Sequence, residues 1–283
     1  MSESALALIE SVKDSRVLFV GDTITDEYHY VKPLNKAAKE NLIPVRYGSK
    51  ETFAGGVIAA AKHLQSFCKV VDINNGGKIT RKVRFVDENS LHKLFEIHYQ
   101  DGECISLKNK LEDYDCVVVA DFGHGVIKDV SEFNSAKYLA VSAQTNAANR
   151  GFNLITKYPR ADYIVIDEPE ARLAAANQDG PINDVIHKLA DGRCEKFIVT
   201  HGRHGAYGYH KGQFAHCNAF TDLVRDTMGA GDAFFAITAP MSKTGSIEDL
   251  LFIGCAAGAL KCGILGHRSS VTKEALCDFI RTH

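Results

Sequence analysis

The stretch Asp226-Thr227-Met228-Gly229-Ala230-Gly231-Asp232-Ala233-Phe234 holds the residues of this chain whose types and spacing come nearest to specifying a reaction. Three small residues, Gly229, Ala230 and Gly231, lead into an apolar run of helical type, Ala233 to Ile237. The first amides of a helix lack partners and the dipole is positive there, so such a start attracts an anion. Asp232 falls just inside the first turn, where a carboxylate beside bound phosphate could take a proton from an attacking hydroxyl. Phosphoryl transfer needs little else from a protein beyond positioning and charge stabilisation. Standing alone, Asp-x-x-Gly reads equally as an ordinary turn and N-cap.

Elements that could position such a site alternate along the chain. Arg16-Val17-Leu18-Phe19-Val20 is a buried strand by pattern, closed by Gly21-Asp22. Ligands of open α/β sheets sit beyond the carboxyl ends of strands, which makes Asp22 and Asp26 candidates to bind a substrate. The alternative is that both cap local turns. No G-x-G-x-x-G follows the strand, which argues against a dinucleotide-binding start. Gly55-Gly56 opens an apolar helix over 57–67, and residues 68–73 read as a strand. Residues 81–86 and 93–97 alternate at period two, as a hairpin with one wet face does. That period puts Lys82 and Arg84 on one face, where they could bind a phosphate already on the substrate or simply decorate an exposed strand. Further buried strands end at Asp121, at about Ser142, and at Ile166 before Asp167-Glu168-Pro169-Glu170. Residues 197–200 and 201–206 read as strand and turn; 233–241, 247–265 and 273–281 read as helices. This alternation predicts a doubly wound, mostly parallel α/β sheet.

Bulk properties narrow the function. The chain has 283 residues, 45% apolar and 24% charged, a typical globular composition. A net charge of −2 gives no electrostatic case for nucleic acid or an anionic membrane. No apolar run approaches the roughly 20 residues of a membrane span. Residues 1–14 read as a short amphipathic helix without a basic start or cleavage site, so a cytoplasmic location is expected. The eight cysteines form no C-x-x-C pair and read as reduced. Histidines 201, 204, 210 and 216 lack a zinc-binding frame.

The whole string Asp226 to Phe234 closely resembles the C-terminal signature of ribokinase-like (PfkB) carbohydrate kinases. The resemblance implies that Asp232 is the catalytic base and that Gly229, Ala230 and Gly231 form the anion hole. It also ties Asp226 and Thr227 to a monovalent-cation site, K⁺ in kind. Gly55-Gly56 is similar to the family's N-terminal sugar-side signature, and Asp121 falls where a substrate-side loop begins. Asp167 and Glu170 occupy the family's Asn-x-x-Glu positions near the Mg²⁺-nucleotide phosphates, Glu170 acting on Mg²⁺ through water. Thr200, Gly202 and Gly205 match a Thr-x-Gly-x-x-Gly whose Thr and Gly touch nucleotide. In wording, Gly21 to Tyr28 and Ile43-Pro44-Val45 look most like the sugar-kinase half of bacterial heptose kinase/adenylyltransferase enzymes.

The chain also departs from the family pattern. Ala59 stands where the family usually has Asn, 144–151 lacks the common Asp-Pro-Lys, and the usual Asn of the helix after Asp232 is absent. The expectation is therefore a single kinase domain over 1–283, with lid segments at about 28–47 and 80–107 that pair two copies into a homodimer. With ATP and Mg²⁺ it would phosphorylate a sugar or sugar phosphate, a heptose phosphate being one candidate. A nucleoside or other small-alcohol kinase, or a nucleotide- and sugar-binding regulator without turnover, remain alternatives.

Overall fold

The computed structural model describes residues 2–34, 40, 42–77, 79–101, 109–220 and 224–283. The chain begins with α1 (Ser2–Ser11), β1 (Arg16–Gly21), β2 (Thr23–Pro33), β3 (Val45–Gly56), α2 (Val57–Leu64) and β4 (Val70–Asn74). It continues through β5 (Ile79–Asp87), β6 (Lys93–Asp101), β7 (Cys116–Asp121), β8 (Leu139–Ala143) and β9 (Ala161–Asp167). Then come α3 (Glu168–Ala175), α4 (Ile182–Ala190), β10 (Cys194–Thr200), β11 (Ala206–His210) and β12 (Gln213–Cys217). Three helices follow: α5 (Ala230–Met241), α6 (Ile247–Cys262) and α7 (Lys273–Thr282).

Eight strands form one sheet in the order β12-β11-β10-β9-β8-β7-β1-β4. The run from β10 to β4 is parallel, and β11 and β12 add an antiparallel edge. Successive side chains of a strand leave by opposite faces. Val17, Phe19, Cys116 and Val118 accordingly pack into one core with α1, α2, α5, α6 and α7. Leu18, Val20, Val117 and Val119 pack into a second core with α3 and α4. Both faces are covered, which is why these strands read as continuous apolar runs rather than alternating ones. The doubly wound sheet expected from the sequence is present.

The second sheet has four strands in the order β3-β2-β5-β6. Its outer pairs are antiparallel and its central β2–β5 pair is parallel. Its strands are longer than the sequence suggested: β2 starts at Thr23 and β3 runs to Gly56, so Asp26 sits inside a strand rather than in a loop. Residues 35–39, 41 and 102–108 of the expected lid segments, and Cys104, lie outside the described residues. Helix α4 had no counterpart in the sequence reading, and α6 ends at Cys262 rather than at Leu265. Among the described residues no helix is long and apolar enough to cross a membrane.

Candidate active site

A cleft of about 1020 Å³ opens where β7–β10 end, between the large sheet and the four-stranded one. It is lined by Asp26, Gly56, Lys82 and Arg84 on one side, by Thr200, Gly202 and Gly205 on the other, and by Gly229 to Asp232 between them. This is the place that open α/β sheets reserve for ligands.

The 229–232 turn is shaped by its glycines. Gly229 caps α5 with φ of 75°, a left-handed conformation that favours glycine. A Cβ there would also meet His267 Cε1 and Lys261 Cε, each at 3.3 Å. Ala230 N–H donates to Thr227 O at 3.2 Å, and Ala233 N–H donates to Gly229 O at 2.9 Å. Among the described residues the N–H groups of Gly229, Gly231 and Asp232 meet no main-chain acceptor, so of the 229–231 set expected only Ala230 is engaged, and Asp232 adds a free donor. Asp232 Oδ1 accepts a hydrogen bond from Gln144 Nε2 at 2.8 Å. Burial on the cleft floor pushes the Asp232 carboxyl up; His267, Gln144, Lys261 and Lys82 oppose that shift.

Across the cleft, Asp26 is buried and paired with Arg84, whose Nε also stands 3.2 Å from Glu96. His267 Nε2 lies 3.4 Å from the second Asp26 oxygen. Burial acts to raise the Asp26 carboxyl, but His267 and Arg84 outweigh it and hold it below the usual carboxylate range. A Cβ on Gly55 would come within 2.5 Å of Asp26 Oδ2, so the glycine leaves that carboxylate its room. Gly56, at φ of 60°, makes the tight passage from β3 into α2. Lys82 is only 9% exposed and lines the cleft. Burial, with Arg84 beside it, pushes its ammonium down. Arg81 leaves by the other face, pairs with Glu27 and stacks on Tyr99.

Two expected substrate residues are not brought to the cleft. Asp22 accepts hydrogen bonds from the main-chain N–H groups of Phe122, His124 and Val126 at 3.0, 3.3 and 3.0 Å. Asp121 accepts from Gly123 N–H, Asn153 and Tyr158, and it pairs with Lys157. Both carboxylates are at most 2% exposed. They fix the 121–126 loop instead of facing a ligand.

On the far side, Asp167 and Glu170 close the first turn of α3 as a capping box. Glu170 accepts from Asp167 N–H at 3.0 Å and from Thr145 N–H at 2.9 Å. Burial, with Asp167 beside it, pushes the Glu170 carboxyl up. Carboxylates suit Mg²⁺, and two oxygens already engaged by amides fit a contact made through water. Among the described residues no cluster of three or more His, Cys, Asp or Glu could hold a metal ion on its own. Such an ion would take its remaining ligands from phosphate and water.

Asp226, expected with Thr227 at a monovalent-cation site, does not line the cleft. Its two oxygens accept from Met228 N–H and Gly266 N–H at 3.1 and 2.9 Å, joining two loops. Thr227 lines the cleft. Two residues at or behind the site escaped sequence reasoning as functional: Gln144 and Lys261. Gln144 follows β8 directly, and that position at a carboxyl strand end was the available signal. Lys261 carried none, since its ammonium reaches Met228 O and Gly266 O only in the folded chain. His267, in the 266–270 stretch that the resemblance places at the adenine side and the cation loop, reaches Asp26.

The sequence model of the pfkB family carbohydrate kinases matches residues 127–274, just over half of the chain. The chain belongs to that family. The family is one of carbohydrate kinases. A protein of Rhodopseudomonas palustris named "Bifunctional protein HldE" is 26% identical over 84% of this chain and 58% of its own length. Its namesake in Haemophilus influenzae is 24% identical over 93% of this chain and 63% of its own. The chain thus spans about three fifths of the length of these relatives. Among solved structures, Arabidopsis thaliana ribokinase complexed with ribose and ATP superposes with a TM-score of 0.70 at 14% identity, covering 95% of this chain and 99% of that one. Escherichia coli phosphofructokinase-2 in complex with potassium does so with 0.69 at 13% identity, covering 95% and 99%. These likenesses show the fold.

Proposed function

We propose that Asp232 is the base of an ATP-dependent phosphorylation of a hydroxyl on an anionic sugar, a sugar phosphate such as a heptose phosphate. The acceptor proton passes to the Asp232 carboxylate, the acceptor oxygen bonds to the γ-phosphorus, and the bond from that phosphorus to ADP breaks. The free N–H groups at 229, 231 and 232 face the charge that spreads over the transferred phosphoryl group. Thr200, Gly202 and Gly205 line the cleft and would hold the nucleotide, and Asp167 and Glu170, on the same wall, would hold Mg²⁺ through water.

The observation that carries this reading is the position of Asp232 between two unlike walls. One is glycine-rich and ends parallel strands; the other presents Lys82, Arg84 and Asp26. Lys82, nine-tenths buried and lining the cleft, supports a phosphorylated acceptor over a neutral one. Asp26 would orient an acceptor hydroxyl. We propose further that the outer face of the four-stranded sheet pairs two copies, since Phe95, Ile97 and Tyr99 stand exposed along β6.

The test is Mg²⁺-dependent ATP consumption across sugars, sugar phosphates and nucleosides, with Asp232→Asn as control. Turnover on a sugar phosphate that the variant loses is the expected result. Turnover only on nucleosides, or binding of nucleotide with no turnover on any acceptor, would overturn the reading. Light scattering of the eluting protein reports the dimer.

A further inference from the structure

The side chain of Lys261, on the last turn of α6, is 0% exposed. Its ammonium lies 2.7 Å from Met228 O, 2.8 Å from Gly266 O and 3.5 Å from Ile264 O. All three hydrogen-bond acceptors are main-chain carbonyls, while Asp226 and Asp232 act on the charge through space. A buried charge costs heavily unless its shell is complete, so these carbonyls are what allow it to stay there. A desolvated monovalent cation takes the same kind of shell, carbonyl oxygens replacing its water.

The carbonyls come from two loops. One is the 226–232 turn that presents the free amides and Asp232. The other is 263–268, which brings His267 to Asp26 and Arg268 to Glu51 of the four-stranded sheet. The Asp226 carboxylate joins the same loops through Met228 N–H and Gly266 N–H. Arg225 N–H and Asp226 N–H add bonds to Cys262 O at 3.0 and 3.2 Å. Met228 O and Gly266 O therefore already hold one positive charge. A K⁺ ion sharing those oxygens would stand against an ammonium of like charge and nearly the same reach. The residues beside Asp226 and Thr227 do not fit an added monovalent cation.

We propose that Lys261 is a built-in replacement for the monovalent cation, its ammonium holding the anion-binding turn so that nucleotide binding and transfer do not require K⁺. Lys261 is a positioning residue: it acts through the 226–232 turn and does not line the reacting centre. Its charge also offsets Asp226 and Asp232, which keeps both carboxylates tolerable in one small volume.

The test compares wild type with Lys261→Met at constant ionic strength, in K⁺ or in choline. Two quantities are read: the melting temperature of the protein alone, and its rise on adding Mg²⁺ with a non-hydrolysable ATP analogue. Wild type is expected to give the same values in both salts. Lys261→Met in choline should melt lower and bind the analogue roughly tenfold or more weakly, as loss of charged hydrogen bonds does. K⁺ should restore both quantities, and Li⁺, which holds its water more firmly, should not. A purely structural lysine predicts damage that no cation repairs.

A wild type whose stability or nucleotide binding depends on K⁺ overturns the proposal. So does a Lys261→Met protein that K⁺ fails to rescue, including one that folds in neither salt while the smaller Lys261→Ala behaves the same way. The role in transfer rests on the kinase reading, but the cation cage does not. If wild type binds no nucleotide in either salt while K⁺ still raises the melting temperature of Lys261→Met, the kinase reading fails and the cage stands.

Discussion

Two pairs of aspartates lie at and behind the cleft and have opposite surroundings. Asp22 and Asp121, behind the cleft, are enclosed by donors: Asp22 by three main-chain amides of the 122–126 loop, Asp121 by Gly123 N–H, Asn153, Tyr158 and Lys157. Asp26 and Asp232, at the cleft, meet side chains brought from distant segments: Arg84, His267 and Gln144. All four are buried or half-buried. The first pair has its oxygens engaged by donors, and the second keeps oxygen lone pairs free toward an open volume. A buried carboxylate is thus read by what remains unsatisfied around it, since a complete shell of backbone donors leaves nothing with which to hold a substrate.

The sharpest way to break this contrast is to neutralise one member of each pair. Asp232→Asn should lower kcat by roughly 10²–10⁴, the worth of a positioned base. Its melting temperature should not fall at neutral pH. A carboxyl with a raised pKa favours its neutral form in the folded state, so the ionised form costs stability above the ordinary aspartate value. Full activity in this variant would remove Asp232 from the chemistry.

Lys82→Met comes next. The lysine is a nearly buried cation on the cleft wall, so its loss should raise KM for a phosphorylated acceptor about 10–150-fold, as for a charged hydrogen bond worth about 1.5–3 kcal/mol. Stability should hold or increase, because burial already disfavours the charged form. Equal KM values for wild type and variant would show that the acceptor carries no anion at this wall.

For the other pair, Asp22→Asn should leave KM and kcat per folded molecule near wild type and lower stability by about 1–3 kcal/mol, the cost of buried donors left unmet. An asparagine turns an NH₂ group toward amides that need an acceptor. Denaturant unfolding measures the loss. A selective rise in acceptor KM with unchanged stability would return Asp22 to the substrate side.

The sequence disclosed one of these pairs more fully than the other. The glycines before Asp232 and the apolar run after it are contiguous, so the turn and the start of α5 were legible, as was the parallel sheet from its unbroken apolar strands. Strand period two was enough to put Lys82 and Arg84 on one face. The fate of a lone carboxylate was not legible, because Asp22 finds its donors about one hundred residues away in the 122–126 loop. Asp26 is a candidate from the sequence, but its pairing was not legible: β2 starts where a loop was expected, and the residue pairs with Arg84 only once β2 and β5 lie side by side. Local chemistry is written locally, whereas charge pairing is written by topology.

Gln144 tests that distinction at the smallest scale. It begins the 144–151 stretch, which lacks the common Asp-Pro-Lys, and its Nε2 donates to Asp232 Oδ1. A hydrogen bond to the ionised carboxylate favours that form, so Gln144 lowers the Asp232 pKa against the pull of burial. Gln144→Ala should therefore move the acid limb of the kcat/KM profile to higher pH and leave the plateau near that of wild type, where Asp232 is ionised with or without the bond. Restoring a donor with Gln144→Asn, whose shorter side chain falls short of Oδ1, should not bring the limb back. If the limb stays in place while the plateau falls, Gln144 orients the substrate and its contact with Asp232 is incidental. If the limb moves down, the amide presents its oxygen to a protonated Asp232, and the carboxyl in the free enzyme is an acid rather than a base.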